Sequence, residues 1–196
     1  MGLNFTFSGG QTLLTEEEKE DLAVKYVTTQ KELNELEQLN IKKAINWTLN
    51  HKFDYKHILK ESFIIKLHQK MFNYTWKWVG EYRKTNKNLG VDKADIKNYV
   101  LMALDDCKYW IDKEIYPPDE ICIRFKHKVV SVHPFCNGNG RFSRLIADIL
   151  ANHFFNLPVF TWGGIDNINR RKAYLNALRK ADLNNFNELI EFSRKP

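Results

Sequence analysis

Apolar residues recur at three- and four-residue intervals along most of this chain, which is the period of one buried face of an α-helix. The first such run follows the residues TQKE at 29–32, a capping-box pattern, and it predicts a helix over about 29–50. The same spacing predicts helices over 62–72, 96–113, 117–132, 141–155 and 169–181, with a last one that closes the chain. The expected fold class is therefore all-α.

Two stretches lack this helical period. Residues 1–22 begin with a glycine-rich, weakly patterned segment and are expected to form an N-terminal tail or strap, followed by one domain over 23–196. In GEYRKTNKNLGV, at 80–91, Asn88 and Gly90 interrupt short polar and apolar runs. This pattern predicts one short β-hairpin within the helical fold.

Composition and charge narrow the function classes. With 196 residues, 43% hydrophobic and 28% charged, the chain has the make-up of an ordinary globular domain. The net charge of +6 comes from Lys and Arg that are interleaved with acids, so no direct contact with nucleic acid is expected. No apolar stretch approaches a membrane span and the three cysteines form no CxxC pair. We therefore expect no membrane contact and a reducing, cytoplasmic location.

The chemistry is expected in one nonapeptide, HPFCNGNGR, which runs from His133 to Arg141 between two predicted helices. A glycine-rich turn before a helix exposes backbone N–H groups without intrahelical acceptors, and Gly138 and Gly140 let a phosphate approach them closely. Arg141 and Arg144 follow at i and i+3, so both guanidiniums can bind further phosphate oxygens. The histidine can titrate near neutrality, which suits a general base. The pattern predicts attack of an activated hydroxyl on a bound phosphate.

Each of these residues also has an ordinary structural explanation when taken alone: a helix-end histidine, a surface arginine and a loop of small residues. Their joint arrangement favours function, because a structural loop needs no base, anion hole and arginine pair together. Cys136 is a rival nucleophile in the same loop, since a neighbouring histidine can lower a thiol pKa. We interpret Cys136 as a loop filler, because glycines followed by arginines fit a phosphate better than an acyl group.

HPFCNGNGR, with Arg144 three residues on, resembles the signature of the Fic (filamentation induced by cAMP) domain family, HPFx(D/E)GNGRxxR. The similarity continues in LHQKMF, in WKWVGEYRKTNKNLGV and in the helix after the motif, and so covers the chain from about residue 23 onward. Within the family, ELNELEQLNI, YPPDEICIRF and HPFCNGNGR resemble the mobile mystery protein B branch. The resemblance implies a Fic-type helical bundle with one short β-hairpin.

The resemblance also implies a nucleotidyltransferase that moves AMP from ATP, with Mg²⁺, to a Ser, Thr or Tyr hydroxyl of a target protein. His133 would be the general base. The phosphates would be bound by five motif residues: Gly138, Asn139, Gly140, Arg141 and Arg144. Gly140 favours AMP transfer over phosphorylation, because the Doc branch, which transfers a terminal phosphate, usually carries Lys there. Removal of AMP from a modified protein, or nucleotide sensing without catalysis, are the alternatives.

Family proteins dock the target segment as an added strand along a flap, the predicted hairpin of this chain. The matching residues are Thr85, Asn86, Lys87, Asn88, Leu89, Gly90 and Val91. One motif position departs from the family, since Asn137 replaces the acid that holds Mg²⁺. A neutral amide lacks the charge that attracts a cation, so Asn137 is expected to be a weak metal ligand.

Glu37, on the helix predicted over about 29–50, suggests self-inhibition. It shares one helical face with three apolar residues, Leu33, Leu36 and Ala44. An acid on such a face needs a partner, because burying an unpaired carboxylate is costly. The pair Leu36-Glu37 resembles part of the family's inhibitory motif, (S/T)xxxE(G/N), although the first and last positions differ. The resemblance implies an inhibitory helix in which Glu37 pairs with Arg144.

Two partners are expected from the resemblance. One is the target protein that presents its hydroxyl side chain to the flap. The other is a small DNA-binding protein that resembles an antitoxin, because this branch is often found beside such a partner.

Overall fold

Residues 19–164 and 168–195 are described by the structure, a computed structural model. Most of the predicted tail, residues 1–18, lies outside them. The described helices are α1 Gln30–Leu49, α2 Tyr55–Ile58, α3 Glu61–Phe72, α4 Ile96–Asp112, α5 Pro118–Val132, α6 Asn139–Ile149, α7 Ile168–Asp182 and α8 Asn187–Arg194. The prediction of a mostly helical fold is therefore confirmed. None of the helices in the described ranges is long and apolar enough to cross a membrane.

Helix α1 begins as the sequence predicts. The Thr29 side chain accepts a hydrogen bond from the Glu32 N–H, and the Glu32 carboxylate accepts one from the Thr29 N–H. These two bonds satisfy N–H groups that would otherwise lack acceptors at the helix start. The buried face of α1 packs on α3, and Glu37 lies on that face.

The predicted helix over 141–155 begins at Asn139 and changes its hydrogen-bond pattern near its end. The segment Leu150–Phe154 is a π-helical turn that continues α6, and the Phe155 N–H donates to the Leu150 carbonyl at 3.3 Å. Asn156 then takes a positive φ of 55° and ends the helix ahead of Pro158. Helix α2 was not predicted, because a four-residue helix is too short to display a period.

The predicted β-hairpin over 80–91 is wrong, since no strand is assigned within the described residues. Two of its backbone N–H groups bond to the end of α5 and the loop that follows: the Arg83 N–H donates to the Pro134 carbonyl at 2.9 Å and the Val91 N–H to the Val132 carbonyl at 3.3 Å. We keep the name flap for residues 85–91. The one isolated β-bridge among the described residues joins Leu22 to Trp76.

The core anchors the loop that connects α5 and α6. These two helices pack against each other, and α4 packs on α5. Phe135 in the loop and Phe142 in α6 are both fully buried, with their ring centroids 5.2 Å apart. Burying one such side chain contributes about 1.5–3 kcal/mol, so the core holds the loop on both sides of its glycines.

Candidate functional site

The loop between α5 and α6 brings His133 to the N-terminal end of α6. His133 caps α5 in a left-handed conformation, with φ 56° and ψ 57°. Gly138 caps α6 with φ 77°. The first N–H groups of α6, on Asn139, Gly140 and Arg141, have no carbonyl one turn earlier to bond. These donors and the helix dipole together form an anion-binding end beside the histidine.

The His133 imidazole is oriented as a base. Its Nδ1 lies 3.1 Å from the Val130 carbonyl, which can only accept, so Nδ1 carries the proton and Nε2 is the basic nitrogen. Burial, together with the nearby charges of Arg83 and Lys87, lowers the pKa of His133 to about 4. The expectation of titration near neutrality is therefore wrong for this state, and the imidazole is neutral at pH 7.

The Asn139 side chain organises the loop. Its Oδ1 accepts from the Phe135 N–H at 2.9 Å and its Nδ2 donates to the Phe135 carbonyl at 2.8 Å. The residue is 1% exposed. Asn139 can therefore offer a phosphate its backbone N–H, while its amide group closes the loop.

His68 on α3 supports the same loop and was not predicted from the sequence. Its ring stacks on Phe135 with centroids 3.7 Å apart. The Gly80 N–H donates to His68 Nδ1 at 3.1 Å, so Nε2 carries the proton and donates to the Asn137 carbonyl at 3.2 Å. Burial lowers its pKa to about 3, which keeps the ring neutral. The sequence signal that could have found His68 is its position, because this histidine lies among the buried positions of helix α3.

Glu37 reaches the loop from α1 and pairs with Arg141. Glu37 Oε2 lies 2.7 Å from Arg141 Nη1, and the Glu37 side chain is 5% exposed. Trp76 Nε1 donates to the other carboxylate oxygen, Oε1, at 2.9 Å. Both oxygens of the buried acid thus have a partner, as the burial argument required.

The partner of Glu37 differs from the expected one. Arg141 lies in the first turn of α6, and its guanidinium also lies 5.1 Å from the Phe72 ring centroid. Arg144, one turn later, extends towards α7, with its guanidinium 5.9 Å from the Tyr174 ring centroid. The prediction of a Glu37–Arg144 pair is wrong because the two arginines point to different neighbouring helices.

The flap lies directly against His133. A Cβ atom added to Gly90 would lie 2.5 Å from His133 Cβ, so only glycine permits this approach. The flap loop is closed by Asn86, whose Nδ2 donates to Asp92 Oδ2 at 2.8 Å and whose Oδ1 accepts from the Lys93 N–H at 2.8 Å. Side-chain bonds therefore replace the ladder of a hairpin.

Cys136 does not suit the role of a nucleophile towards an external substrate. The residue is 6% exposed and belongs to the core cluster that contains Phe135. A buried thiol is poorly accessible to a substrate. The interpretation of Cys136 as a loop filler agrees with this position.

The loop between α5 and α6 lies within a segment that matches a protein-family model. The Fic/DOC family model matches residues 58–151, from the end of α2 through α6. The chain carries a Fic/DOC family domain. Fic domains are generally nucleotidyltransferase-like enzymes. Assignment to the mobile mystery protein B branch stays a prediction.

Solved Fic structures have the same fold. A fragment of Fic-1 from C. elegans aligns with a TM-score of 0.65 at 20% identity, over 87% of this chain and 50% of that one. This chain thus spans about half the length of that relative. BepC from Bartonella tribocorum, solved with bound AMPPNP, aligns with a TM-score of 0.66 at 15% identity, over 87% of this chain and 89% of that one. No curated protein matches this sequence.

The Fic loop does not fit a resident Mg²⁺ ion. At the motif position of the metal ligand, Asn137 Oδ1 already accepts from the Gly138 N–H at 2.6 Å. Within the described ranges, no group of three or more His, Cys, Asp or Glu side chains could hold a metal ion. One neutral oxygen is a poor site for Mg²⁺, which prefers carboxylates and phosphates.

Restoring the acid should create a metal ligand. Asn137→Asp is expected to increase the affinity for Mg²⁺ of the protein with bound ATP, because a carboxylate adds charge attraction to oxygen coordination. Calorimetric titration of Mg²⁺ into the ATP complex measures this, with Asn137→Ser as the neutral control. Equal Mg²⁺ affinity in the two variants would mean that position 137 does not contact the ion.

The two motif glycines should respond differently to alanine. At Gly138 a Cβ would meet Phe72 at 2.5 Å with φ at 77°, so Gly138→Ala should destabilise the fold by about 1–3 kcal/mol. At Gly140 the nearest atom would be Arg144 Nη1 at 3.7 Å, so the fold should tolerate Gly140→Ala.

Gly140, in contrast to Gly138, should matter for nucleotide binding and not for stability. If a phosphate occupies the open side of Gly140, Gly140→Ala should weaken ATP binding roughly tenfold or more with an unchanged Tm. Thermal unfolding and ATP titration measure the two effects separately. Unchanged ATP affinity in Gly140→Ala would remove this residue from the phosphate site.

Proposed function

We propose that this protein is an adenylyltransferase that moves AMP from ATP to a Ser, Thr or Tyr hydroxyl of a target protein. The observation that carries the proposal is the loop from His133 to Arg141, which joins a buried neutral histidine to a helix N-terminus followed by two arginines. A base beside an anion-binding helix end fits transfer of a phosphate-linked group. The AMPPNP bound in BepC supports a nucleotide as the donor.

In the proposed reaction, the target hydroxyl oxygen attacks the α-phosphorus of ATP. A new O–P bond forms, and the bond between the α-phosphorus and the oxygen that bridges the α- and β-phosphates breaks. Pyrophosphate leaves with the electron pair. His133 Nε2 accepts the hydroxyl proton. The N–H groups at the start of α6, with Arg141 and Arg144, bind the phosphates, and Mg²⁺ would arrive as part of the substrate.

Self-inhibition belongs to the same proposal. Arg141 is engaged by Glu37 at 2.7 Å, so this arginine must exchange a carboxylate for a phosphate before ATP is bound productively. The target protein would dock along the flap beside His133. A small DNA-binding, antitoxin-like partner is proposed on the resemblance alone.

Two labelled forms of ATP test the reaction class. With α-³²P-ATP, wild-type protein should acquire label that is absent in His133→Ala, whereas γ-³²P-ATP should leave protein unlabelled. Label from the γ position alone would identify a kinase. Tight ATP binding without label would indicate a nucleotide sensor, and release of AMP from a modified protein, with water as the acceptor, would indicate hydrolytic removal of AMP.

A further inference from the structure

Arg83, immediately before the flap, spreads its guanidinium over three backbone carbonyls. Its Nε donates to the His133 carbonyl at 2.7 Å. Nη1 donates to the Thr85 carbonyl at 2.9 Å, and Nη2 donates to the Val91 carbonyl. Arg83 is 2% exposed. A planar fork of five donors suits this task, whereas a lysine ammonium would not reach all three carbonyls.

These carbonyls belong to the two parts of the site that must meet in the reaction. Thr85 and Val91 are the two ends of the flap, and His133 is the proposed base. The backbone repeats the link, because the Arg83 N–H donates to the Pro134 carbonyl at 2.9 Å and the Val91 N–H to the Val132 carbonyl at 3.3 Å. The flap and the base are thus joined through one side chain and two backbone bonds.

The His133 backbone needs such support. Its φ of 56° places a non-glycine residue in the left-handed region, which costs free energy and persists only when the surroundings determine it. Arg83 bonds to the carbonyl of this same residue. Gly90, whose added Cβ would lie 2.9 Å from Arg83 Nη2 and 2.5 Å from His133 Cβ, packs against both.

We propose that Arg83 is a positioning residue that holds the flap and the general base His133 as one rigid unit. The inference rests on the proposed function, in which the flap presents a hydroxyl to His133. Arg83 is buried and donates to backbone carbonyls of His133 and the flap, so it acts through them. Its loss should therefore weaken target docking and proton transfer but leave the anion-binding end of α6 intact, since a small misplacement of a reacting group is enough to slow a reaction strongly.

Two substitutions separate the geometry of Arg83 from its charge. Arg83→Lys keeps the charge and loses the fork. Arg83→Gln loses both, and because Arg83 and Lys87 are the charged groups that lower the His133 pKa, it should raise that pKa as well. Lys84→Gln is the matched control, because Lys84 is the next residue, is exposed and pairs with Glu81 at 2.8 Å.

The experiment measures structure and activity in the same variants of the 196-residue chain. Amide hydrogen exchange at Val91 should accelerate in Arg83→Lys and not in Lys84→Gln, and ATP affinity should stay within about twofold of wild type. In self-modification assays with saturating α-³²P-ATP, Arg83→Lys should lower the transfer rate about 100-fold. NMR titration should show a raised His133 pKa in Arg83→Gln.

The outcomes also separate this inference from the proposed function. Unchanged Val91 exchange and unchanged transfer in Arg83→Lys would overturn the inference about Arg83. The proposed function would still stand if the wild-type protein transfers AMP. Accelerated exchange with a raised His133 pKa, in a wild-type protein that transfers no AMP, would support Arg83 as the link and refute the adenylyltransferase. If Arg83→Gln fails to fold, Arg83→Lys alone decides, because it retains the buried charge.

Discussion

Glu37→Gly is expected to raise the rate at which the protein modifies itself by roughly 10- to 100-fold, the range of one charge-assisted hydrogen bond. Glu37 forms a 2.7 Å ion pair with the Arg141 guanidinium, the group that should bind phosphate. Removing the carboxylate frees the guanidinium for ATP. The rate is measured with α-³²P-ATP at fixed, saturating ATP.

Glu37→Gln separates the charge from the contact. Glutamine can keep an oxygen acceptor for Trp76 Nε1, now 2.9 Å from Glu37 Oε1, but it loses the charge that attracts Arg141. We expect a smaller activation than in Glu37→Gly. The glycine variant should also be less stable by about 1–3 kcal/mol, because the buried Trp76 N–H loses its acceptor.

A specific pair of results would reject self-inhibition by α1. If Glu37→Gly transfers at the wild-type rate while Arg141→Ala loses transfer, Arg141 binds phosphate and Glu37 serves only the fold. Trp76→Phe provides a further check, since it keeps the aromatic packing and removes the second bond that fixes Glu37. It should activate transfer less than Glu37→Gly does.

His133→Ala is expected to lower the transfer rate about 100- to 10,000-fold with ATP affinity retained, because a general base contributes that much. The pH dependence tests the same role. The neutral imidazole is the active form, so activity should persist above the pKa of about 4 and fall as the pH drops through it, instead of falling near 6.5.

Bound ATP should shift the acid limb of the pH–activity profile, where activity falls with pH, to higher pH. The phosphate charges stabilise the imidazolium, so the acid limb of kcat should lie at a higher pH than that of kcat/KM. The exposed His51 provides the control, and His51→Ala should leave both limbs unchanged. A limb near pH 6.5 in kcat/KM would contradict the buried position of His133 in the free protein.

The sequence predicted those parts of the molecule that depend on local spacing. The helices longer than one turn follow from the apolar period, and the capping bonds between Thr29 and Glu32 follow from the TQKE pattern. The placement of His133 before a glycine turn and α6 is likewise local. These features form between residues that are close along the chain, so a single sequence displays them.

Features that depend on which helices meet were predicted poorly. Glu37 pairs with Arg141, 104 residues away, and spacing within α6 could not choose between this arginine and Arg144. The flap forms no hairpin, because Arg83 and the loop after α5 supply its bonding partners. The low pKa of His133 arises from tertiary burial.

The most direct measurement of the central claim is the intact mass of Glu37→Gly after incubation with ATP, followed by peptide mapping. The account predicts a mass gain of one AMP group on a Ser, Thr or Tyr side chain, absent when His133→Ala is added to the same variant. A mass gain of one phosphoryl group, or AMP addition that persists without His133, would contradict it.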